Sequence, residues 1–228
     1  MKIGILQCGR APEEIRDKHG DYDAQFEQLL AHDDLSFQTW AVLDNELPSS
    51  IDDADGWLIT GSKFGVYEDH PWIPPLEKFL RDAYAKKIPI VGICFGHQIL
   101  AQALGGKVIK FPGGWSVGHV DYTLQDNTQV GVIAFHQDQV VELPEGATVT
   151  GSTDFCEYAF ISYGNQALSM QPHPEFDEAF LQDLLAVRSS TLPESIVQRA
   201  QDRTGQPLAR QRMADSIVSF FLLDRSTE

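Results

Sequence analysis

The chain has 228 residues, 43% hydrophobic and 22% charged, which is enough apolar material for the core of one α/β domain and leaves little room for long disorder. Its 33 acidic side chains outnumber 17 basic ones, and a net charge of −16 with no visible basic patch argues against nucleic acid or an anionic membrane as partner. Cys8, Cys94 and Cys156 are odd in number and far apart without a CxxC pair, so neither a disulfide framework nor a zinc site is suggested, and no metal or other cofactor is expected.

The opening "MKIGILQCGR" is too short an apolar run for a signal segment and has no small-residue cleavage site, so a cytoplasmic location is expected. "KIGILQC" reads as a strand, "GRAPEEIRDKHG" as a loop, and "YDAQFEQLLAH" as a helix with Phe26, Leu29 and Leu30 on one side. "LSFQTWAVLD" alternates like a strand. "GWLIT" is a second short strand that runs straight into the loop "GSKFGVYEDHPW". "IPPLEKFLRDAYAKK" accepts its prolines in a first helical turn, and "IPIVGI" is a continuous apolar run suited to the centre of a parallel sheet.

From residue 107 to 171 the pattern changes to short strand candidates separated by turn residues, read as a mainly antiparallel portion of the same domain. From Phe176 onward it turns helical, restarts at "TLPESIVQRA", breaks at "TGQP" and ends in a helix around "RMADSIVSFFLL". The whole predicts an α/β fold: an open, mostly parallel, doubly wound sheet with helices on both faces and a smaller antiparallel part. One domain is expected over 1–228, with its core in 1–180 and a C-terminal helical segment in 181–228. In such sheets sites lie outside the carboxyl ends of strands, so strand ends are where chemistry is sought.

"GICFG" ends the most buried strand candidate. Gly92, Cys94 and Gly96 have the spacing of a nucleophile elbow, in which side-chain-free flanks let a sharp strand-to-helix turn lift the central residue. A thiol at the start of the helix "FGHQILAQAL" also feels the helix dipole, which favours thiolate. The bland alternative is a small buried hydrophobe at a tight turn. A nucleophile needs a base and a group to orient it, and "MQPHPEF" offers His173 and Glu175 two positions apart, on one side of a backbone that Pro172 and Pro174 keep extended. Taken singly, either residue is equally well a surface histidine or a solvated acid.

Three stretches together carry a resemblance to the class I, triad-type glutamine amidotransferases: "GICFGHQILAQALGG", "MQPHPEF" about 80 residues later, and "LITGSKFGVYED". The resemblance covers roughly residues 1 to 180 and implies that fold, flavodoxin-like in its winding. It makes Cys94 the nucleophile, His173 the general base and then acid, and Glu175 the residue that orients it. It places an oxyanion hole on the backbone amides of Ser62 and Phe95, with Gly61 in the same loop and Gln98 at the position that contacts glutamine. "FHQDQV" aligns with a loop that reads the amino-acid end of glutamine, which brings in Gln137 and Asp138. Trp115 falls where the family has a pocket-edge loop, and ordinary packing explains it equally well. Gln137 stands where the family often has glycine, and Gly61-Ser62-Lys63 where it often has Gly-Gly-Pro, departures that bear on the substrate.

The resemblance implies hydrolysis of the γ-glutamyl amide bond of glutamine or a related γ-glutamyl compound through a thioester, releasing ammonia or amine. No phosphate-binding loop or synthase-like segment accompanies the motifs, so acceptor chemistry is expected on a separate synthase subunit. Two alternatives stand beside this reading. One is a stand-alone γ-glutamyl peptidase with water as acceptor; the other is a non-catalytic binding or thiol redox-sensing protein, which has no use for a matched base and orienter.

Overall fold

The computed structural model describes residues 1–225; the last three residues of the expected C-terminal segment lie outside the described residues. Strands β1 (Lys2–Leu6), β2 (Ser36–Trp40), β3 (Gly56–Ile59) and β4 (Ile90–Ile93) alternate with helices α1 (Glu13–His19), α2 (Tyr22–Leu29) and α3 (Ile73–Ala85), and α4 (Phe95–Ala103) follows β4 across Cys94 alone. Helix α1 lies in the stretch read as a loop. It is only seven residues long, with Pro12 at its N-cap, acids in its first turn and bases in its last, a charge order that suits the helix dipole but gives too short a period to detect.

The second half supplies β5 (Lys107–Lys110), β6 (Ser116–Leu124), β7 (Gln129–His136), β8 (Asp138–Glu142), β9 (Thr148–Ser152), β10 (Phe160–Tyr163) and β11 (Ala167–Met170), then α5 (Glu178–Arg188), α6 (Glu194–Asp202) and α7 (Arg210–Phe221). Nine strands form one sheet in the order β2-β1-β3-β4-β11-β10-β9-β6-β7, and β5 pairs with β8 in a separate two-stranded ribbon. Strands β2, β1, β3, β4 and β11 are mutually parallel, and the remaining pairings are antiparallel.

The mainly antiparallel reading of residues 107–171 holds with β11 as the strand that rejoins the parallel half, and the start of the following helix is corrected. Strand β11 belongs to the parallel half, beside β4, because the hairpin from β10 reverses the chain before it enters the sheet; four residues of "QALSMQP" carry no information about direction. Phe176 precedes the helix: α5 begins at Glu178 with Asp177 as N-cap, its carboxylate accepting from the Phe180 amide at 2.8 Å.

Helices cover both faces of the sheet. Trp57, Ile59 and Ile90 face α3 and α4, packing on Leu76, Leu80, Ile99 and Leu100. Ile3, Ile5, Leu58 and Val91 face the other way, onto Phe26 of α2 and Met213, Ile217 and Phe221 of α7. This alternation is the period of two that a strand covered on both faces requires. No helix among the described residues is long and apolar enough to cross a membrane.

Candidate active site

Three adjacent parallel strands end at one rim. Ile59 of β3 lies opposite Gly92 of β4, and Met170 of β11 opposite Ile93, so the chain leaves β3 into Gly61, β4 into Cys94 and β11 into His173 side by side. Cys94 sits at φ 52° and ψ −103°, a left-handed conformation that a non-glycine residue adopts at a cost of about 1–3 kcal/mol and that is met at nucleophile turns. The flanking glycines permit it by close approach. A Cβ on Gly92 would lie 2.4 Å from the Gly96 carbonyl oxygen, and one on Gly96 would lie 2.3 Å from that of Ile59.

The His173 Nδ1–H donates to Glu175 Oε1 at 2.7 Å, and the imidazole makes its other side-chain hydrogen bond with Cys94. Burial opposes a charged ring, but the Cys94 sulfur and the Glu175 carboxylate together outweigh it and push the His173 pKa up to about 10. The other two thiols sit in apolar surroundings without such a partner. Burial pushes Cys8 far up and Cys156 up to about 12, which leaves both as unreactive thiols.

Each remaining candidate has a definite place. Gly61 lies against the pair: a Cβ there would come within 3.0 Å of His173 Cε1 and 3.7 Å of Cys94 Cβ. Ser62 borders the cleft, and its Oγ accepts from the Phe64 amide at 3.3 Å, bending the loop back. Phe95 opens α4, so its amide is one of those with no acceptor inside the helix, while its ring turns into the core against Trp72. Buried Gln98 spends its amide nitrogen on the Asp138 carbonyl at 3.0 Å and on Gln171 Oε1 at 3.1 Å. The segment expected as a loop is a tight join between β7 and β8, with Gln137 donating to the Phe111 carbonyl at 3.3 Å and Asp138 accepting from the Tyr67 hydroxyl at 2.9 Å. Trp115 serves both readings, bordering the cleft while packing edge-on against Phe135.

The cleft around Cys94 has a volume of about 270 Å³. One wall carries Tyr67, Gln137 and Asp138. Arg10, Tyr22, Leu184, Arg188 and Thr191, residues that sequence reasoning passed over, line the same cleft. Phe176 was also missed as a site residue: its ring stacks on His173 with centroids 4.1 Å apart and planes 3° from parallel, which fixes the imidazole plane. Its place directly after "HPE" was the available signal. His136 lines the cleft as well, and burial holds its pKa down at about 3, so it is neutral.

The model of the class-I glutamine amidotransferase family matches residues 19–181, and this chain belongs to that family. A glutamine amidotransferase-like protein of Schizosaccharomyces pombe is 33% identical, covering 96% of this chain and 98% of the relative. Gamma-glutamyl peptidase 5 of Arabidopsis thaliana is 28% identical over 94% of this chain and 92% of its own. Among solved structures, a glutamine amidotransferase from Methylobacillus flagellatus shares the fold with a TM-score of 0.80 at 21% identity, covering all of this chain and 97% of that one.

Proposed function

We propose that the protein hydrolyses γ-glutamyl amide bonds in peptides, with Cys94 as nucleophile, His173 as general base and acid, Glu175 as its orienter and water as the final acceptor. Cys94 sulfur attacks the γ-carbonyl carbon, and the oxyanion that forms takes hydrogen bonds from the Ser62 and Phe95 amides, donors worth several kcal/mol in a dry site. Protonated His173 gives its proton to the departing amine as the C–N bond breaks, leaving a thioester. His173 then draws a proton from water, which attacks the same carbon and frees glutamate and the thiol.

The observation that carries the peptide reading is that the Cys94 cleft extends to Arg10, Tyr22, Leu184, Arg188 and Thr191. Free glutamine loses only ammonia and needs no room beyond its amide nitrogen, whereas a peptide leaving group does. Arg188 lines the same cleft as Cys94 and has no ion-pair or hydrogen-bond partner for its guanidinium among the described residues; an unpaired cation in that cleft, in a chain with net charge −16, suits a leaving group that ends in a carboxylate. The similarity to a γ-glutamyl peptidase over nearly the full length of both chains supports the same reading.

The test compares kcat/KM of the purified chain for glutamine and for a γ-glutamyl dipeptide, alone and with cell extract. Preference for the dipeptide, unchanged by extract, is expected. Preference for glutamine that rises when extract is added would replace this reading with that of an amidotransferase subunit activated by a synthase.

A further inference from the structure

Arginine is a poor choice for the first turn of a helix, where the dipole favours acids, yet α7 opens on Arg210 and has no acid in its first turn. What the guanidinium touches accounts for it. Its Nε donates to the Pro174 carbonyl at 3.1 Å and its Nη2 to the Glu175 carbonyl at 3.0 Å, so one planar group spans two successive carbonyls of the segment that carries His173 and Glu175. That segment is poor in partners of its own. Pro172 and Pro174 have no amide hydrogen, and the His173 amide reaches out to the Ile133 carbonyl of β7 at 2.8 Å.

The element that delivers Arg210 is itself anchored. Met213, Ala214, Ile217 and Phe221 are buried on the sheet, and just before α7 the Ala209 amide donates to the Gly131 carbonyl at 2.8 Å. His119 Nε2 donates to the Pro207 carbonyl at 3.1 Å. Gly131 and Ile133 are alternate residues of β7, so one strand anchors both the approach to Arg210 and the base.

We infer that Arg210 is a positioning residue: clamped on the Pro174 and Glu175 carbonyls, it keeps the Glu175 carboxylate on His173 and the imidazole on Cys94 without touching substrate. The inference rests on the Cys94–His173–Glu175 reading above, but not on which amine leaves. It also gives the segment beyond residue 181, outside the family match, a part in the chemistry.

The full chain carrying Arg210→Met, Arg210→Lys or Leu30→Ala tests it, the last a deletion in the core at the end of α2, outside α7 and the clamp. Steady-state kinetics on a γ-glutamyl dipeptide are read together with the pH dependence of Cys94 alkylation by iodoacetamide, which needs no turnover. Arg210→Met is expected to lower kcat about 10- to 100-fold with KM changed by less than about twofold. The basic limb of the alkylation profile should move to lower pH, because a loosened carboxylate supports the imidazolium less well. Arg210→Lys should recover only part of kcat, since an ammonium cannot span both carbonyls in the same plane. Leu30→Ala should lower Tm and leave kcat and the profile in place. The inference is overturned if Arg210→Met keeps the parent kcat and profile, or if Leu30→Ala at equal loss of Tm reproduces both changes. Should Arg210→Met fail to fold, a parent-like kcat and profile in Arg210→Lys overturns it. Activity that survives Cys94→Ser would sink the triad reading itself, a result separable from any of these.

Discussion

The two halves of the candidate catalytic apparatus are held by different physics. Cys94 is placed by its own neighbourhood: strand β4, one residue in a left-handed conformation, and helix α4, with Gly92 and Gly96 allowing backbone contacts that no side chain would tolerate. His173 and Glu175 follow a four-residue strand on a segment with two prolines and are placed from outside. The Ile133 carbonyl holds the His173 amide, the Phe176 ring holds the imidazole plane, and Arg210 holds the carbonyls. A nucleophile can thus be built locally from sterics, whereas a buried base–carboxylate pair needs groups from distant parts of the chain to keep its geometry.

The sharpest way to break this contrast is at the reacting atom. Cys94→Ser should cost at least about 10⁴-fold in kcat while Tm stays near the parent, because the substitution replaces the sulfur of the proposed nucleophile and removes almost no volume. Cys8→Ala and Cys156→Ala should keep activity; a γ-glutamyl-directed electrophile that labels either of them in place of Cys94 would move the site. Next in size, Glu175→Gln keeps the shape but removes the charge that supports the imidazolium. It should lower kcat by about 10²- to 10⁴-fold with a smaller change in KM. A loss confined to KM would assign Glu175 to binding.

The elbow can be broken through stability. Gly96→Ala drives a Cβ against the Ile59 backbone carbonyl, which has no rotamer with which to yield, and should cost about 3 kcal/mol or more, a fall in Tm of roughly 6–12 °C. A variant within about 2 °C of the parent would show that the turn relaxes easily and that the contrast drawn here is overstated.

The remaining tests concern pH and sharpen the comparison on the base side. His173 is pushed up to about 10 in the folded protein against about 6.5 in the unfolded chain. Its contribution to stability is therefore complete below about pH 6.5 and fades as pH climbs through about 10. His97 and His136 behave in the opposite sense. Burial lowers both to about 3, so the unfolded chain takes up protons that the folded one refuses, and stability falls as pH drops from about 6.5 toward 3. Urea midpoints measured from pH 6.5 down to 4.5 should follow that fall. His136→Asn should remove roughly half of the slope, and an unchanged slope would mean that His136 is protonated in the folded protein as well.

By itself the sequence determined what depends on local pattern. The buried runs, the helical spacing of Leu76 and Leu80 and the Gly-x-Cys-x-Gly turn each declare themselves within a few residues, because burial and backbone sterics act over that range. The order of the elbow and the His-x-Glu segment was legible for the same reason, and it sufficed to mark Cys94, His173 and Glu175 as candidates. Tertiary structure alone decided the direction of β11, since a four-residue strand reads alike either way until the hairpin from β10 turns it beside β4. It alone brought Arg188 to the cleft and carried Arg210 of α7 to the carbonyls of Pro174 and Glu175. The hydrogen bonds of Arg210 join residues tens of positions apart and leave no period or motif in the sequence; they exist only once the sheet has fixed the distances between its ends.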